Sequence, residues 1–318
     1  MTMLEPIKPM EPISSTQIPT GDEWIAQIKW DGVRILTYYD GQSVRLFNRK
    51  KNERTDHYPE LLNISTFCSA KSVILDGEVI ALAEDGKPSF HEVMRRDGLR
   101  KLDKVKFLRQ SVPIFYMIFD VLYLDGVWVT SKPFSERSQL LHSIIQPNET
   151  IQVVSSFENG EELFQLMENQ GMEGVVMKRQ SSTYQIGQKQ EWMKVKNYQD
   201  LIAVVGGYTL RQGTANSLIL GLFDDEGHLY YIGHAGTGKF THQEWRTLTD
   251  QLKQIETTDR PFKTAVERED EAHWVHPKLT VKITYAEWTA GRALRQPSIQ
   301  GLTDAEPLSC RFEKDMQR

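Results

Sequence analysis

Apolar positions recur in short runs along most of the chain, a pattern that predicts many short strands and few helices. A Pro-, Ser- and Thr-rich lead-in occupies residues 1–22, and strand-like patterns alternate with a few helical ones over residues 24–199. Residues 73–83 are rich in β-branched side chains, and residues 114–124 form a long apolar run. Both segments are suited to buried strands.

The clearest helical pattern covers residues 160–170. Leu163, Phe164 and Met167 fall on one face at helical spacing. Gly171 is placed to end the helix, because glycine readily adopts the left-handed conformation found after helix C-termini. The chain would then pass directly to Glu173.

The pattern changes near Asp200. Strand-like segments separated by Gly-rich or acidic turns then cover residues 204–210, 217–223, 229–234 and 281–288. One helical stretch, residues 241–255, lies among them. Because several short strands with one helix are compatible with a small barrel, we predict two domains, residues 1–200 and residues 201–318.

The composition indicates a soluble globular protein. The chain has 318 residues, of which 39% are hydrophobic and 25% charged, values that are ordinary for soluble domains. No apolar run is long enough to span a membrane, and the N-terminus lacks a secretory pattern. The two cysteines, Cys68 and Cys310, give neither a disulfide framework nor a Cys-rich metal site. We therefore expect a cytoplasmic protein that does not contact membranes.

The distribution of charge is uneven. The net charge of −5 argues mildly against a nucleic-acid binder. Residues 95–109, however, hold seven basic and two acidic side chains, and residues 178–196 hold five basic and one acidic. A run of charged residues is usually just a solvated face. These segments therefore predict phosphate contacts only if other motifs in the chain also indicate a nucleic-acid enzyme.

The residue with the most telling surroundings is Lys29. It opens the sequence Lys-Trp-Asp-Gly-Val-Arg between two strand-like segments. A lysine in a strand is ordinarily an exposed surface residue, and so short a motif occurs often by chance. Glu78, Glu173, Lys194 and Lys196 follow in similar strand contexts. Together these residues predict a nucleophilic lysine, carboxylates for a divalent metal and cations for phosphate.

The order and spacing of these motifs resemble the covalent nucleotidyltransferases, and within them the ATP-dependent DNA ligases. The resemblance is greatest to the ligase module of bacterial ligase D, and it extends over nearly the whole chain. Further matching stretches are residues 47–49, 75–79, 119–126, 133–137, 274–277, 287–289 and 294–298.

The resemblance implies an α+β architecture. It predicts an adenylation (nucleotidyltransferase) domain with mixed antiparallel sheets, followed by an OB-fold β-barrel domain that binds nucleic acid. It also implies the reaction: ATP adenylates Lys29, AMP passes to the 5′-phosphate of a nick, and the 3′-hydroxyl displaces it. The amine of Lys29 must be unprotonated to attack phosphorus.

The resemblance assigns roles to further residues. Glu78 and Glu173 would hold Mg²⁺ or Mn²⁺, for which oxygen ligands are suited, and Asp31 would orient Lys29 and reach the same metal. Other matching positions would contact the nucleotide: Lys194 and Lys196 the α-phosphate, Arg34 and Arg49 the ribose, AMP or nick phosphate, and Phe119 the adenine face. Lys178 fits a family position for which a DNA-phosphate contact and a catalytic role are equally suitable.

Two departures from the family pattern change what we expect. The residue two before the lysine is often Glu, which accepts a hydrogen bond from adenine, and here it is Gln27. The cations of the family's C-terminal motif, which orient pyrophosphate, are missing from residues 301–306, although Arg292 and Arg295 are close in sequence. We therefore expect slow self-adenylation and preserved sealing of a pre-adenylated nick.

The expected partner is nicked or broken double-stranded DNA, bound by a monomer of two domains. By analogy, the Ku end-binding protein is a further expected partner. Two alternatives remain open at this point. One is an RNA ligase or capping-type nucleotidyltransferase, and the other is a catalytically weakened nucleic-acid-binding accessory protein, favoured only by the missing C-terminal cations.

Overall fold

The computed structural model describes residues 5–100, 102–289 and 291–312. The chain forms two compact units, Met1–Asn197 and Tyr198–Arg318. Each unit has a hydrophobic core of its own. Within the described residues, no helix has both the length and the apolar character needed to cross a membrane.

The first unit combines short strands with four helices. In chain order, its elements are β1 (Met10–Ser14), β2 (Trp24–Ile28), β3 (Val33–Tyr39), β4 (Val44–Asn48), β5 (Val73–Ala81), α1 (Phe90–Asp97), α2 (Val105–Ser111), β6 (Ile114–Leu124), β7 (Val127–Trp128), α3 (Phe134–Ile144), β8 (Ile151–Val153), α4 (Gly160–Asn169), β9 (Gly174–Arg179) and β10 (Gly187–Lys196).

Two mixed sheets organise this unit. The smaller sheet has the order β1-β10-β9-β2, with β1 parallel to β10 and the other neighbours antiparallel. The larger sheet has the order β4-β3-β5-β6-β7, and β8 pairs with β6 in parallel. Helix α4 packs against the smaller sheet, and its first turn is capped because the Asn159 side chain accepts a hydrogen bond from the Glu162 N–H.

The larger sheet buries both of its faces. Val79 and Tyr116 belong to a core that also includes Val93 of α1, and Leu108 of α2 packs against that core. Ile80 and Met117 belong to a separate cluster, against which Phe119 packs. Because successive side chains of a strand point to opposite faces, helices α1 and α2 lie on the face opposite to Phe119.

The second unit is built mainly of strands. In chain order, its elements are β11 (Gln199–Arg211), β12 (Thr214–Phe223), β13 (Leu229–Ala235), β14 (Thr237–Gly238), α5 (His242–Lys253), β15 (His273–Tyr285), β16 (Glu287–Trp288), β17 (Leu294–Arg295) and β18 (Ser298–Thr303).

A six-stranded sheet in the order β13-β12-β11-β15-β18-β14 forms the body of the second unit, beside the small hairpin β16-β17. Helix α5 begins with a capping box, in which the Thr241 hydroxyl and the Glu244 carboxylate each accept a hydrogen bond from the other residue's backbone N–H. This arrangement confirms the predicted α+β fold class: the first unit contains mixed sheets, and the second unit, predicted as an OB-fold β-barrel, contains a half-barrel sheet.

The long apolar run and the amphipathic helix are confirmed as β6 and α4, respectively. The prediction for residues 1–22 was incomplete, because part of this lead-in forms β1 and pairs with β10. The predicted strand at residues 281–288 begins much earlier, at His273. Helices α1, α2 and α3 had no counterpart among the segments assigned from sequence.

Candidate active site

The register of the smaller sheet brings several of the predicted site residues, all of them from β2, β9 and β10 or the residue after β2, onto one face. Strands β2, β9 and β10 are neighbours, and the Lys29 N–H donates to the Gly174 carbonyl at 3.0 Å, which extends the pattern one step beyond β2. Three rows of residues across the strands share the face: Ile25, Lys178 and Trp192; Gln27, Val176 and Lys194; Lys29, Gly174 and Lys196.

Alternation along the strands explains this arrangement. The core under α4 contains alternate residues of these strands, among them Trp24, Ala26, Val175 and Val195. The residues that alternate with them along each strand therefore point to the opposite face. The face that carries Lys29 is therefore rich in lysine, and it is suited to a polyphosphate.

Gly174 is the residue that permits the close pairing at the end of this face. Its φ of +134° is unfavourable for other residues, and a Cβ atom there would lie 2.1 Å from the Val195 carbonyl oxygen. The close approach of β9 to β10 places Glu173, the residue before Gly174, beside Lys29. The Lys29 Nζ lies 2.6 Å from Glu173 Oε1, and the Glu173 side chain is only 2% exposed.

The larger sheet contributes Glu78 from β5. Gly32 makes the approach possible, because a Cβ there would lie 2.2 Å from the Val79 carbonyl oxygen. Burial raises the pKa of Glu78 to about 8; Lys29 and Arg34 oppose the shift, and Glu173 and Asp31 add to it. The predicted metal carboxylates are therefore close enough to repel one another, and a divalent cation would relieve that repulsion.

Asp31, Glu78 and Glu173 are not packed as tightly as a preformed metal site. Among the described residues, the only group of three or more acidic, His or Cys side chains whose ligand atoms all lie within 4.8 Å is Asp224, Glu226 and His228. That group lies in the turn between β12 and β13, and the Lys263 ammonium is 3.2 Å from its His228 Nδ1. A lysine in that position already neutralises part of the acidic charge.

Arg34 is held in a buried network. Its guanidinium donates to both carboxylate oxygens of Asp76, at 2.8 and 2.5 Å, and to the Tyr184 hydroxyl at 3.2 Å. The Tyr184 hydroxyl in turn donates to Asp76 at 2.7 Å and accepts from the Met10 N–H at 3.0 Å. Burial would lower the pKa of Arg34, but Asp76 outweighs it and raises the pKa above its ordinary value. Sequence reasoning missed Asp76 and Tyr184 in this role.

Phe119 lies at the meeting point of the two sheets. The Arg34 guanidinium is 5.2 Å and the Lys178 ammonium 4.5 Å from the centre of its ring. Lys178 is 2% exposed, and its Nζ has no hydrogen-bond partner among the described residues. Phe134 and Trp192 also face this ammonium, at 4.7 and 4.0 Å. Burial lowers the pKa of Lys178 to about 7, against the opposing influence of Asp120 and Asp76.

The burial of Lys178 bears on its two suggested roles. A side chain that is enclosed by three aromatic rings is out of reach of a duplex on the surface, so the suggested contact with a DNA phosphate does not suit this conformation. Its position beside Phe119 groups it instead with the residues that are predicted to contact the nucleotide.

Arg49 and Lys194 extend the cationic face. Arg49 follows β4, is 56% exposed and lies 3.7 Å from Glu11. Burial lowers the pKa of Lys194, and the neighbouring charges of Lys29 and Arg49 lower it further. An anion bound among these cations would offset their mutual repulsion.

Gln27 is buried, and its amide has a defined orientation. The Nε2 group donates to the Val154 carbonyl at 3.4 Å and to the Ser156 hydroxyl at 3.1 Å. A backbone carbonyl can only accept, so the amide nitrogen must face it, and the amide oxygen is left for another donor. In this arrangement the NH₂ group is directed to protein acceptors, and the oxygen is the part of the amide that remains for a ligand.

Comparison with known families gives two matches that together span most of the chain. The family described as ATP dependent DNA ligase domain matches residues 7–196, and the one described as ATP dependent DNA ligase C terminal region matches residues 211–305.

Individual relatives agree with these matches. The multifunctional non-homologous end joining protein LigD of Mycolicibacterium smegmatis is 31% identical over 287 residues, which are 88% of this chain and 36% of that protein. A DNA ligase of Methanothrix thermoacetophila is 30% identical over 302 residues, 90% of this chain and 52% of that protein. The chain thus spans about a third to a half of the length of these relatives.

One solved structure is similar over nearly the whole chain. The mycobacterial DNA ligase D, complexed with ATP and MES, superposes with a TM-score of 0.72 at 28% identity. The match covers 96% of this chain and 98% of that one.

Proposed function

The chain belongs to the family of ATP-dependent DNA ligases, and on this premise we propose that it seals 5′-phosphate/3′-hydroxyl breaks in duplex DNA through an adenylate on Lys29. The observation that carries the proposal is the position of Lys29. Its ammonium is paired with the buried Glu173 at one end of a face that also holds Lys194 and Lys196. A nucleophile, an acidic partner and phosphate-binding cations are thereby brought together.

In the first step, the Lys29 nitrogen attacks the α-phosphorus of ATP, a nitrogen–phosphorus bond forms and pyrophosphate leaves. The ammonium must first lose a proton, and Glu173 Oε1, 2.6 Å away, is the acceptor in position. Lys194 and Lys196 offset the charge that develops on the phosphate oxygens. AMP then passes to the 5′-phosphate of the nick, and attack by the 3′-hydroxyl releases AMP.

The adenosine of ATP would be bound between the two sheets. In this arrangement Phe119 stacks on the adenine, and the Gln27 amide oxygen accepts a hydrogen bond from the adenine amino group. Lys178 lies beside the Phe119 ring. The network of Arg34, Asp76 and Tyr184 fixes the guanidinium of Arg34 close to the Phe119 ring, where a ribose or phosphate oxygen would be in reach. Arg49 is exposed enough to meet the nick phosphate.

The residues also fit a divalent metal. Asp31, Glu78 and Glu173 offer only carboxylate oxygens, which suit Mg²⁺ or Mn²⁺, and the pKa of Glu78 is raised by burial and further by its two acidic neighbours. When bound, the ion would offset negative charge on the phosphates of ATP. Because the named relative from Mycolicibacterium smegmatis is a non-homologous end joining protein, we include DNA repair or end joining in the proposal. Association with the nucleoid and contact with a Ku protein are included only because the resemblance to ligase D implies them.

Covalent labelling tests this proposal directly. We expect the purified chain, incubated with α-labelled ATP and Mn²⁺ or Mg²⁺, to retain the label after denaturation. Lys29→Ala should not be labelled, whereas Lys71→Ala, which removes an exposed lysine, should be labelled like the wild type. Labelled protein should then transfer AMP to a nicked duplex and seal it. Equal labelling of wild type and Lys29→Ala would contradict the proposed intermediate.

A further inference from the structure

The segment between α1 and β6 exposes basic and apolar side chains together on the surface of the first unit. Lys101 lies outside the described residues. We call the exposed basic and apolar side chains of this segment the α2 surface; they are Arg100, Leu102, Lys104, Lys106, Phe107 and Arg109.

Helix α2 packs against the core with one side and exposes the other side to solvent. Val105 is buried, and Leu108 packs against the core on this side of the larger sheet. Phe107 is 79% exposed and Leu102 is 40% exposed. An aromatic ring left in water gives up the favourable free energy of burial, so a contact that covers Phe107 would be stabilised by its apolar surface.

The charges of the α2 surface are poorly compensated within the unit. Its four cations are accompanied by one carboxylate, Asp103, in residues 100–109. Arg109 lies 3.5 Å from Glu60, but both oxygens of that carboxylate already accept from the buried Arg96, at 3.0 Å each. This excess of positive charge in a chain of net charge −5 is a local feature.

A concave site adjoins these cations. A cavity of about 410 Å³ opens at the base of α2 and is lined by Lys106 and Arg109 together with Glu60 and Thr150. Cations beside a cavity and an exposed aromatic ring complement a nucleic-acid backbone, which carries about one negative charge per 1.7 Å of duplex and presents sugar faces to an aromatic ring.

The α2 surface lies on the opposite side of the larger sheet from the proposed nucleotide site. Leu108 packs against the core that contains Tyr116 on one face, whereas Glu78 and Phe119 belong to the other face. A straight duplex whose nick meets Lys29 therefore cannot also lie along α2, because the sheet and its helices separate the two positions.

We propose that the α2 surface binds a second segment of DNA, so that the protein holds two DNA duplexes while one of them engages the nucleotide site. This rests on the proposed function only in that the first duplex is the ligation substrate. The cations contact phosphates of the second duplex, and Phe107 packs against its sugars. This second contact would accelerate the joining of two separate DNA ends. It would not affect the sealing of a nick within one duplex, because that reaction needs no second segment.

A charge-reversal variant separates these two activities. Lys104→Glu with Lys106→Glu removes two exposed cations for which no ion pair is found among the described residues. The control, Lys71→Glu with Lys132→Glu, makes the same change in net charge on exposed lysines of the same unit. For both we would measure adenylation of Lys29, sealing of a nicked duplex, joining of two cohesive duplexes, and capture of a labelled duplex by a bead-bound one.

The α2 variant should adenylate Lys29 and seal a nick within about twofold of the wild type, but join separate duplexes about tenfold more slowly and capture less labelled DNA. The slope of the logarithm of the capture affinity against the logarithm of the salt concentration should decrease by the amount expected for the loss of about two phosphate contacts. The control should resemble the wild type in all four measurements, and Phe107→Ser should weaken capture with no change in net charge.

Other outcomes would overturn the inference. Unchanged joining and capture in the α2 variant would show that no DNA binds there, and would leave this surface to an acidic protein partner. An equal loss of nick sealing and end joining would place the surface in contact with the single ligation substrate. Failure of the wild type itself to become adenylated would instead count against the proposed function and is distinguishable from both.

Discussion

At the scale of single residues, Gln27 shows how one substitution is matched by its surroundings. A glutamate at this position would place a carboxylate oxygen against the Val154 carbonyl, 3.4 Å from the side-chain nitrogen that is present instead. The glutamine nitrogen satisfies that carbonyl and the Ser156 hydroxyl, and the amide oxygen remains an acceptor. In the proposed binding mode, an acceptor in this position favours adenine, which has an exocyclic amine, over guanine, which has a carbonyl there.

We therefore expect Ser156→Ala to reduce the selectivity for ATP over GTP in the labelling of Lys29. One lost hydrogen bond of about 0.5–1.5 kcal/mol predicts a decrease of up to about tenfold in the ratio of the two efficiencies. Ser156→Thr should restore the ratio, and Ser155→Ala, which alters the neighbouring exposed serine, serves as the matched control. An unchanged ratio in Ser156→Ala would remove Ser156 from nucleotide selection.

Lys178 predicts a particular dependence of stability on pH. Its pKa is lowered from 10.5 to about 7, mainly because burial disfavours the ammonium. The unfolded chain then binds this proton more tightly than the folded one, so the contribution of Lys178 to the free energy of unfolding rises with pH from about 7 to 10.5. Below about pH 7, the penalty for the buried charge is present in full.

Replacement of Lys178 by methionine removes the charge and keeps the shape. We expect Lys178→Met to be more stable than the wild type at pH 6, and the difference to shrink by up to about 1.4 kcal/mol per pH unit above neutrality. Denaturant unfolding at several pH values measures this difference, with Lys71→Met as an exposed control. A difference that stays constant from acidic to alkaline pH would contradict the assignment.

At the scale of elements, Gly174 links strand pairing to the site. We expect Gly174→Ala to separate β9 from β10, because the new Cβ would meet the Val195 carbonyl at 2.1 Å in an unfavourable φ region. The displacement of Glu173 and Lys196 should slow the adenylation of Lys29 by more than about a hundredfold. The free energy of unfolding should decrease by about 2–4 kcal/mol.

Gly187 provides a matched control for this substitution. It also begins a strand of the same sheet with positive φ, +83°, but a Cβ there has nothing within 4 Å. Gly187→Ala should therefore cost only about 1 kcal/mol and leave adenylation close to that of the wild type. Equal effects of the two substitutions would mean that backbone conformation, and not the contact with Val195, determines the outcome. Labelling of Lys29 and denaturant unfolding measure both quantities.

The elements also show which parts of the fold a sequence can predict. Strand β6 was predictable because its residues form a long apolar run, and helix α4 because its apolar residues recur at helical spacing. Helices α1 and α3 were not, because each buries an arginine that looks like a surface residue in the sequence. Arg96 donates to the His57 and Val112 carbonyls, and Arg137 donates to both oxygens of the fully buried Asp120. Only the tertiary partners reveal these positions as core.

The same reason limits prediction of the site. The pairing of Lys29 with Gly174 of β9 and the alternation of lysines along β10 bring Lys29, Lys194 and Lys196 onto one face. Asp76, Tyr184 and Ser156 act through other side chains and come from distant segments, so no spacing in the sequence connects them to Arg34 or Gln27.

At the scale of the whole molecule, every residue proposed for catalysis lies in the first unit, between Gln27 and Lys196. Residues 301–306, where the family's cations are missing, belong to the second unit. There Gly301 is paired with Lys282 of β15, and Leu302 packs against the core. This stretch therefore contributes sheet structure, and it offers no cation for pyrophosphate.

The absence of cations from residues 301–306 predicts different rates for two reactions, the adenylation of Lys29 and the sealing of a pre-adenylated nick. Adenylation of Lys29 needs pyrophosphate to be oriented, whereas sealing of a pre-adenylated nick needs only the residues that hold AMP and the 5′-phosphate. We expect single-turnover sealing of a synthetic AMP-capped nick to be at least about tenfold faster than labelling of Lys29 by ATP. Arg292→Ala with Arg295→Ala should slow the labelling further if these arginines act as substitutes, and it should leave sealing of the capped nick unchanged. Labelling as fast as sealing would contradict the expected difference between the two rates and would mean that groups outside residues 301–306 orient pyrophosphate. These groups would be Arg292 and Arg295 if the double variant labels slowly, and residues of the first unit if it labels like the wild type.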